Sequence, residues 1–273
     1  MGVVHKTVHP IDGEQLSVYT VDPGPGTVAD RMGVVVMHGA GSGSKERNLP
    51  LAEDFAALGH PAVALDFSGH GESTGELRDL SLRRRRYQAA AVIEEVFGAD
   101  LPLALVGFSM SGQTIADLVA LYGGRVAALA ACAPGIYGAE AWDVPFGSGF
   151  TELIRRPDSW RTSSAPGTFA RFDGRALLVV PEQDAVIPPG VTDLVRTSLA
   201  AKAGFSELRL AGSDHRLGAW LADHPEDRQR LVSALLRPRP SVPGPGNDVR
   251  SAGAPAKTPP GCSTTVHRGA RDR

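Results

Sequence analysis

Apolar residues along this chain gather into short runs separated by glycine, proline and polar clusters. Runs of strand character lie near residues 3–9, 14–21, 33–37, 61–66, 102–107, 126–132, 175–181 and 206–210. Helical spacing is found near 46–58, 81–97, 111–122, 190–203 and 216–235. From residue 33 onward strand and helix alternate, which predicts an α/β chain built on a mostly parallel sheet covered on both faces. The first two strands are joined by Pro10-Ile11-Asp12-Gly13, a sequence suited to a tight antiparallel hairpin. The stretch 136–175 breaks the rhythm. It holds seven of the sixteen aromatic residues (Tyr137, Trp142, Phe146, Phe150, Trp160, Phe169 and Phe172) and separates the sixth strand from the seventh.

Candidate chemistry starts at the fifth strand. Leu103-Ala104-Leu105-Val106-Gly107-Phe108-Ser109-Met110-Ser111-Gly112 is an apolar run ending at a glycine, with a serine two residues on and a helix-compatible segment directly after. This is the form of a nucleophile elbow, a sharp strand-to-helix turn that lifts a serine oxygen above the sheet edge. The usual pattern is G-x-S-x-G; here Ser111 stands at the second glycine and Gly112 follows one residue later. Taken alone, the motif is equally compatible with a turn that does no chemistry. An elbow serine needs a histidine to take its proton and an acid to orient that histidine, in the chain order serine, acid, histidine. Asp184 follows the strand run 175–181 by a few residues, and His215 follows 206–210 in the same way. Upstream, the run 33–37 enters His38-Gly39-Ala40-Gly41-Ser42-Gly43. Such a loop can aim a backbone N–H at a developing oxyanion together with the N–H after the nucleophile, which designates Ala40 and Met110. By itself, this segment also reads as a flexible glycine/serine loop.

These segments together resemble the α/β-hydrolase superfamily, and within it the compact serine esterases of the feruloyl-esterase and dienelactone-hydrolase kind. The resemblance rests on H-G-A-G-S-G at His38–Gly43, D-F-S-G-H-G-E-S at Asp66–Ser73 and G-F-S-M-S-G at Gly107–Gly112. It continues with P-E-Q-D-A-V-I-P at Pro181–Pro188 and G-S-D-H at Gly212–His215, and it spans about residues 10–235. It implies an α/β-hydrolase fold with a mostly parallel eight-stranded sheet, helices on both faces and a small lid insertion. It implies Ser109 as nucleophile, His215 as general base and acid, Asp184 as the orienting acid, and an oxyanion hole from the amides of Ala40 and Met110. The reaction implied is cleavage of a carboxylic ester or thioester. Insertion 136–175 is then expected to fold over the elbow as a lid, most of its aromatics packing it to the body and one or two lining an acyl or aryl pocket; Trp142 and Phe146 are the expected pair. Ser111 departs from the family's glycine, and a small residue should still fit there. A serine at the elbow argues against haloalkane dehalogenase or epoxide hydrolase chemistry, which uses a carboxylate at that point. Acyl transfer, carbon–carbon bond hydrolysis and non-catalytic ligand binding stay open as alternatives.

Rivals for each role are weaker. Asp173 precedes its strand, Asp193 falls within a helical stretch, and Asp214 adjoins the histidine too closely to bond across its ring. His38, His60 and His70 precede the serine, the wrong order for this fold, and His38 is expected to shape its loop. At 273 residues, with 42% hydrophobic and 21% charged residues, one domain over 1–236 and a tail over 237–273 is the expected organisation. The tail carries seven Lys/Arg, two Asp, many prolines and no aromatics, which is the composition of disordered chain. Its removal leaves a body with a net charge near −7. Arg83–Arg86 lie on a helix and point around it, so a solvated helix start is expected in place of a nucleic-acid surface. No apolar run approaches the ~20 residues of a membrane span, and the first residues lack the apolar core of a signal peptide. Only Cys132 and Cys262 occur. A reducing, cytoplasmic setting follows as the expectation, with no metal, no cofactor, no nucleic-acid or membrane partner, and a small acyl molecule as substrate.

Overall fold

A computed structural model describes residues 2–24, 28–201 and 204–237. The expected tail over 237–273, with Cys262, therefore lies outside the described residues apart from Arg237. Among the described residues, eight strands form one sheet: β1 (Val3–Ile11), β2 (Glu14–Asp22), β3 (Gly33–Met37), β4 (Ala62–Leu65), β5 (Leu103–Phe108), β6 (Val126–Cys132), β7 (Arg175–Pro181) and β8 (Phe205–Leu210). Their order is β1-β2-β4-β3-β5-β6-β7-β8. The β1–β2 and β2–β4 pairs are antiparallel and the remaining pairs parallel. The hairpin turn at Asp12-Gly13 is the expected one, with φ of 51° and 78° at its two residues.

Each central strand is apolar throughout, and alternation then sends its side chains to two separate cores. Val35 and Met37 of β3, with Leu103 and Leu105 of β5, join one core. Val34, Val36, Ala104 and Val106 join the other. The helices that cover these faces are α1 (Lys45–Ala57), α2 (Leu82–Phe97), α3 (Ser111–Tyr122), α4 (Thr151–Ile154), α5 (Ala165–Arg171), α6 (Pro189–Leu199), α7 (Leu217–Asp223) and α8 (Pro225–Leu236). Residues from α1, α7 and α8 close the second core; α2, α3, α5 and α6 close the first. The parallel strands run the same way, so Met37, Phe108, Cys132 and Pro181 finish at a common edge, and their following loops converge there.

Two helix expectations need correction. The segment 216–235 is two helices, α7 and α8, broken at His224, whose φ of −121° and ψ of 83° are not helical. The cause is Pro225, which disfavours helical geometry at the residue before it and is itself well placed at the first turn of a new helix. Of the segment 190–203, the helix ends at Leu199, and residues 202–203 lie outside the described residues. The insertion 136–175 consists of short helical turns together with α4 and α5. Its Ala141 and Phe150 form a small apolar cluster with Met110 at the elbow and Leu82 at the start of α2, which places this segment above the elbow.

Candidate active site

Ser109 sits in the turn between β5 and α3 with φ of 49°, a left-handed conformation that costs a non-glycine residue energy. Neighbouring backbone holds it there. Ser109 N–H donates to Cys132 O at 2.9 Å, while Ser109 O accepts from Gly112 N and Gly135 N at 2.8 Å each. The crowding that the elbow requires falls on Gly107 and Gly112. A Cβ on Gly107 would stand 2.9 Å from Ser111 Cβ and Ile115 Cδ1; one on Gly112 would stand 2.6 Å from Pro134 Cβ. Position 111 is therefore free to carry a side chain, and the second glycine is needed one residue later than the family pattern has it.

The loops after β7 and β8 bring the other two expected residues to Ser109. His215 Nε2 lies 2.9 Å from Ser109 Oγ, and His215 Nδ1 lies 3.1 Å from Asp184 Oδ2. An ionised carboxylate only accepts, so the histidine proton belongs on Nδ1 and the Nε2 lone pair faces the serine hydroxyl; the tautomer is assigned from this network. Asp184 Oδ1 accepts from the amides of Val186 and Ile187, both at 2.9 Å, which fixes the carboxylate's direction. The two loops are tied together by Gln183 N–H donating to Ser213 O at 3.1 Å and by Gly212 N–H donating to Glu182 Oε2 at 2.6 Å. On the opposite side, Ala40 and Met110 line a common cleft with Ser109. Among the described residues neither of their amides has a hydrogen-bond acceptor.

The rivals are occupied elsewhere. Asp214 is paired with Arg216, and Asp193 with Arg196. His38 is buried, donating from Nδ1 to Gly39 O at 2.6 Å and accepting the Phe67 amide on Nε2 at 3.2 Å. It thus shapes the loop as expected. Burial holds the pKa values of His38, His60 and His70 below the ordinary value.

Two residues carry more than the sequence suggested. Arg85 is fully buried, which overturns the expected solvated Arg83–Arg86 helix start for this member of the run. Its guanidinium lies over the Phe67 ring at 3.8 Å, and its Nη2 donates to His38 O at 2.7 Å and to Ser111 Oγ at 2.8 Å. Ser111 Oγ also donates to His38 O at 2.6 Å. Serine, arginine and the carbonyl before the expected oxyanion loop thus form one closed unit behind the elbow. Burial pushes Arg85 down to about 9, which leaves it protonated at neutral pH. A signal for it existed: Leu82, Arg85, Ala89, Val92 and Ile93 share one helical face. The remaining three arginines are less enclosed; Arg83 pairs with Asp143 and Arg84 with Glu14, while Arg86 lies over Trp142.

Of the two expected pocket aromatics, Phe146 lines a cleft with Ala40 and Met110. Trp142 is turned away: its indole N–H donates to Asp117 on α3 at 3.0 Å, and it lines none of the clefts that reach Ser109 or Met110. Trp160 and Phe150 stand on the cleft walls in its place. A groove of comparable volume beside β7 and β8 touches none of these residues.

Residues 29–163 match the family described as serine aminopeptidase, S33, a span that includes Ser109 and stops before Asp184 and His215. No curated protein matches the sequence. Among solved structures, the chain is similar to a predicted CIB-like hydrolase from Thermoplasma acidophilum (16% identity, 85% of this chain and 97% of that one, TM-score 0.60). It is also similar to the thioesterase domain of the curacin biosynthetic pathway (16%, 84% and 99%, TM-score 0.63). A third similar structure is Est1E of Butyrivibrio proteoclasticus with ferulic acid bound (16%, 83% and 97%, TM-score 0.63). Sheet order and structural neighbours agree on an α/β-hydrolase fold for this chain, and its residues 29–163 resemble the serine aminopeptidase, S33, family.

Proposed function

We propose that this protein cleaves a carboxylic ester or thioester through an acyl-enzyme on Ser109. The observation that carries this reading is the unbroken chain of hydrogen bonds from Asp184 through His215 to Ser109, at the mouth of clefts that also expose Ala40 and Met110. Ser109 Oγ attacks the carbonyl carbon as its proton passes to His215 Nε2, and Asp184 stabilises the imidazolium that results. The tetrahedral oxygen takes its negative charge between the amides of Ala40 and Met110, each donor contributing about 3 kcal/mol in such sites. Collapse expels the alcohol or thiol, which leaves with the proton from His215. Water then attacks the acyl group by the same route and frees the serine. Esterase and thioesterase relatives of the same fold support the choice of acyl chemistry.

Hydrolysis of a panel of acyl esters and acyl thioesters of graded chain length, with fluorophosphonate labelling of Ser109 as control, tests the proposal. Ser109→Ala is expected to lower kcat on the order of 10⁴-fold and to abolish labelling. Wild-type protein that neither labels nor turns over any member of the panel would instead be a non-catalytic relative.

A further inference from the structure

Three clefts meet at Ala40, and together they border Ser109 and Met110. The largest has a volume of about 760 Å³ and the next about 530 Å³. Among the described residues, their walls carry six arginines (Arg47, Arg78, Arg155, Arg156, Arg161 and Arg216) and one carboxylate, Asp158. That is the reverse of the body's balance, since residues 1–236 hold twenty-eight acidic and twenty-one basic side chains. Three of the six are already paired: Arg78 with Glu76, Arg161 with Asp158 and Arg216 with Asp214. Arg156 feels the charge of Glu140, and Arg47 makes one long bond to Ser42. Arg155 is different. It lines both larger clefts, and among the described residues its guanidinium has neither an ion pair nor a hydrogen bond. The walls beside it are apolar: Ile154, Trp160 and Ile187 on one side, Phe146 and Phe150 on the other.

We propose that Arg155, with Arg156 and Arg161 beside it, forms a recognition site for an anionic group, phosphate or carboxylate, carried by the substrate away from its scissile carbonyl. The inference rests on the ester or thioester hydrolase reading and narrows its substrate class. A guanidinium presents a planar fork of donors that engages a carboxylate or phosphate through two parallel hydrogen bonds. In a cleft walled by low-polarity surface, such a pair is screened less than on open surface. The same rim disfavours a substrate with a free ammonium group, so aminoacyl compounds are expected to be poor substrates despite the name of the matching family.

Two matched pairs of substrates, given to the whole chain, test the site. Acyl-phosphopantetheine against acyl-pantetheine places the charge on the leaving side; a succinyl half-thioester against its methyl ester places it on the acyl side. The ratio of kcat/KM, anionic over neutral member, is expected to exceed tenfold in at least one pair, to shrink with added salt, and to reside mainly in KM. The responsive pair identifies the source of the anion. Arg155→Gln/Arg156→Gln should bring that ratio towards one, Arg155→Glu should invert it, and Arg155→Lys should retain part of it. A wild-type ratio near one in both pairs overturns the proposal, as does a ratio undiminished in the double variant. If Ser109 labels with fluorophosphonate while neither pair is cleaved, the anion site falls and the hydrolase reading stands. Absence of labelling together with absence of turnover removes both.

Discussion

Arg83–Arg86 and Arg155–Arg156 are both arginine runs, and the fold treats them in opposite ways. The first contains Arg85, sealed beneath the elbow against Phe67 and bonded to His38 O and Ser111 Oγ. The second contains Arg155, exposed on a cleft wall with no partner among the described residues. Residue type alone does not separate them; their neighbours do. Arg85 falls on the apolar stripe of a sixteen-residue helix that must pack on the sheet, so the chain has to bury it and supply acceptors. Arg155 caps a four-residue helix inside the insertion 136–175, where nothing requires burial. One arginine therefore braces the elbow from behind, and the other is left exposed on a cleft wall.

The largest expected effect within this contrast is on stability. Arg85→Ala should lower unfolding free energy by about 2–4 kcal/mol, through the void and the lost bonds. Arg155→Ala should stay within about 0.5 kcal/mol of wild type. Denaturant midpoints measure both, and equal effects would erase the distinction. Arg85→Met keeps the stem and removes the charge, relieving the burial cost, so it should lie between wild type and Arg85→Ala; a variant as stable as wild type would show that the brace adds nothing net.

Ser111→Gly is expected to cost about 1–2 kcal/mol, because the hydroxyl bonds to His38 O and Arg85 are lost and a helix gains a glycine. If size alone mattered at this position, glycine would be tolerated, and the denaturant midpoint would not move. A double-mutant cycle with Arg85 should be non-additive, since both side chains share His38 O. A still smaller effect concerns pH. His38, His60 and His70 are held below their ordinary value near 6.5 by burial, so the unfolded chain takes up these protons at higher pH than the folded one. Their contribution is complete above about 6.5 and is lost as pH falls towards the folded values. The urea midpoint should accordingly drop between pH 7.5 and 5, and a flat midpoint would contradict the burial of these rings.

What the amino-acid sequence determined by itself is local or ordered along the chain. The eight strands were legible because central strands buried on both faces are continuous apolar runs, and hairpin and elbow turns need particular residues. Ser109, Asp184 and His215 were legible as an order, serine before acid before histidine, each just past a strand end. The break at His224-Pro225 was missed, since one helix was expected over 216–235, although its cause, the proline, is local. Tertiary structure decided the rest, because it depends on which side chains meet across the sheet. That Gly112 takes up the crowding usually met by the missing glycine depends on Pro134 arriving from β6. That Ser111 is bonded depends on α2 and the β3 loop converging on it. Trp142 could not be told from Phe146 by type or spacing, because Asp117 of a different helix took the indole away from the cleft. Distances from Ser109 to His215 and from His215 to Asp184 belong to the same class: the chain order permits them, and only the convergence of three parallel strand ends at one edge of the sheet makes them short enough to share a proton.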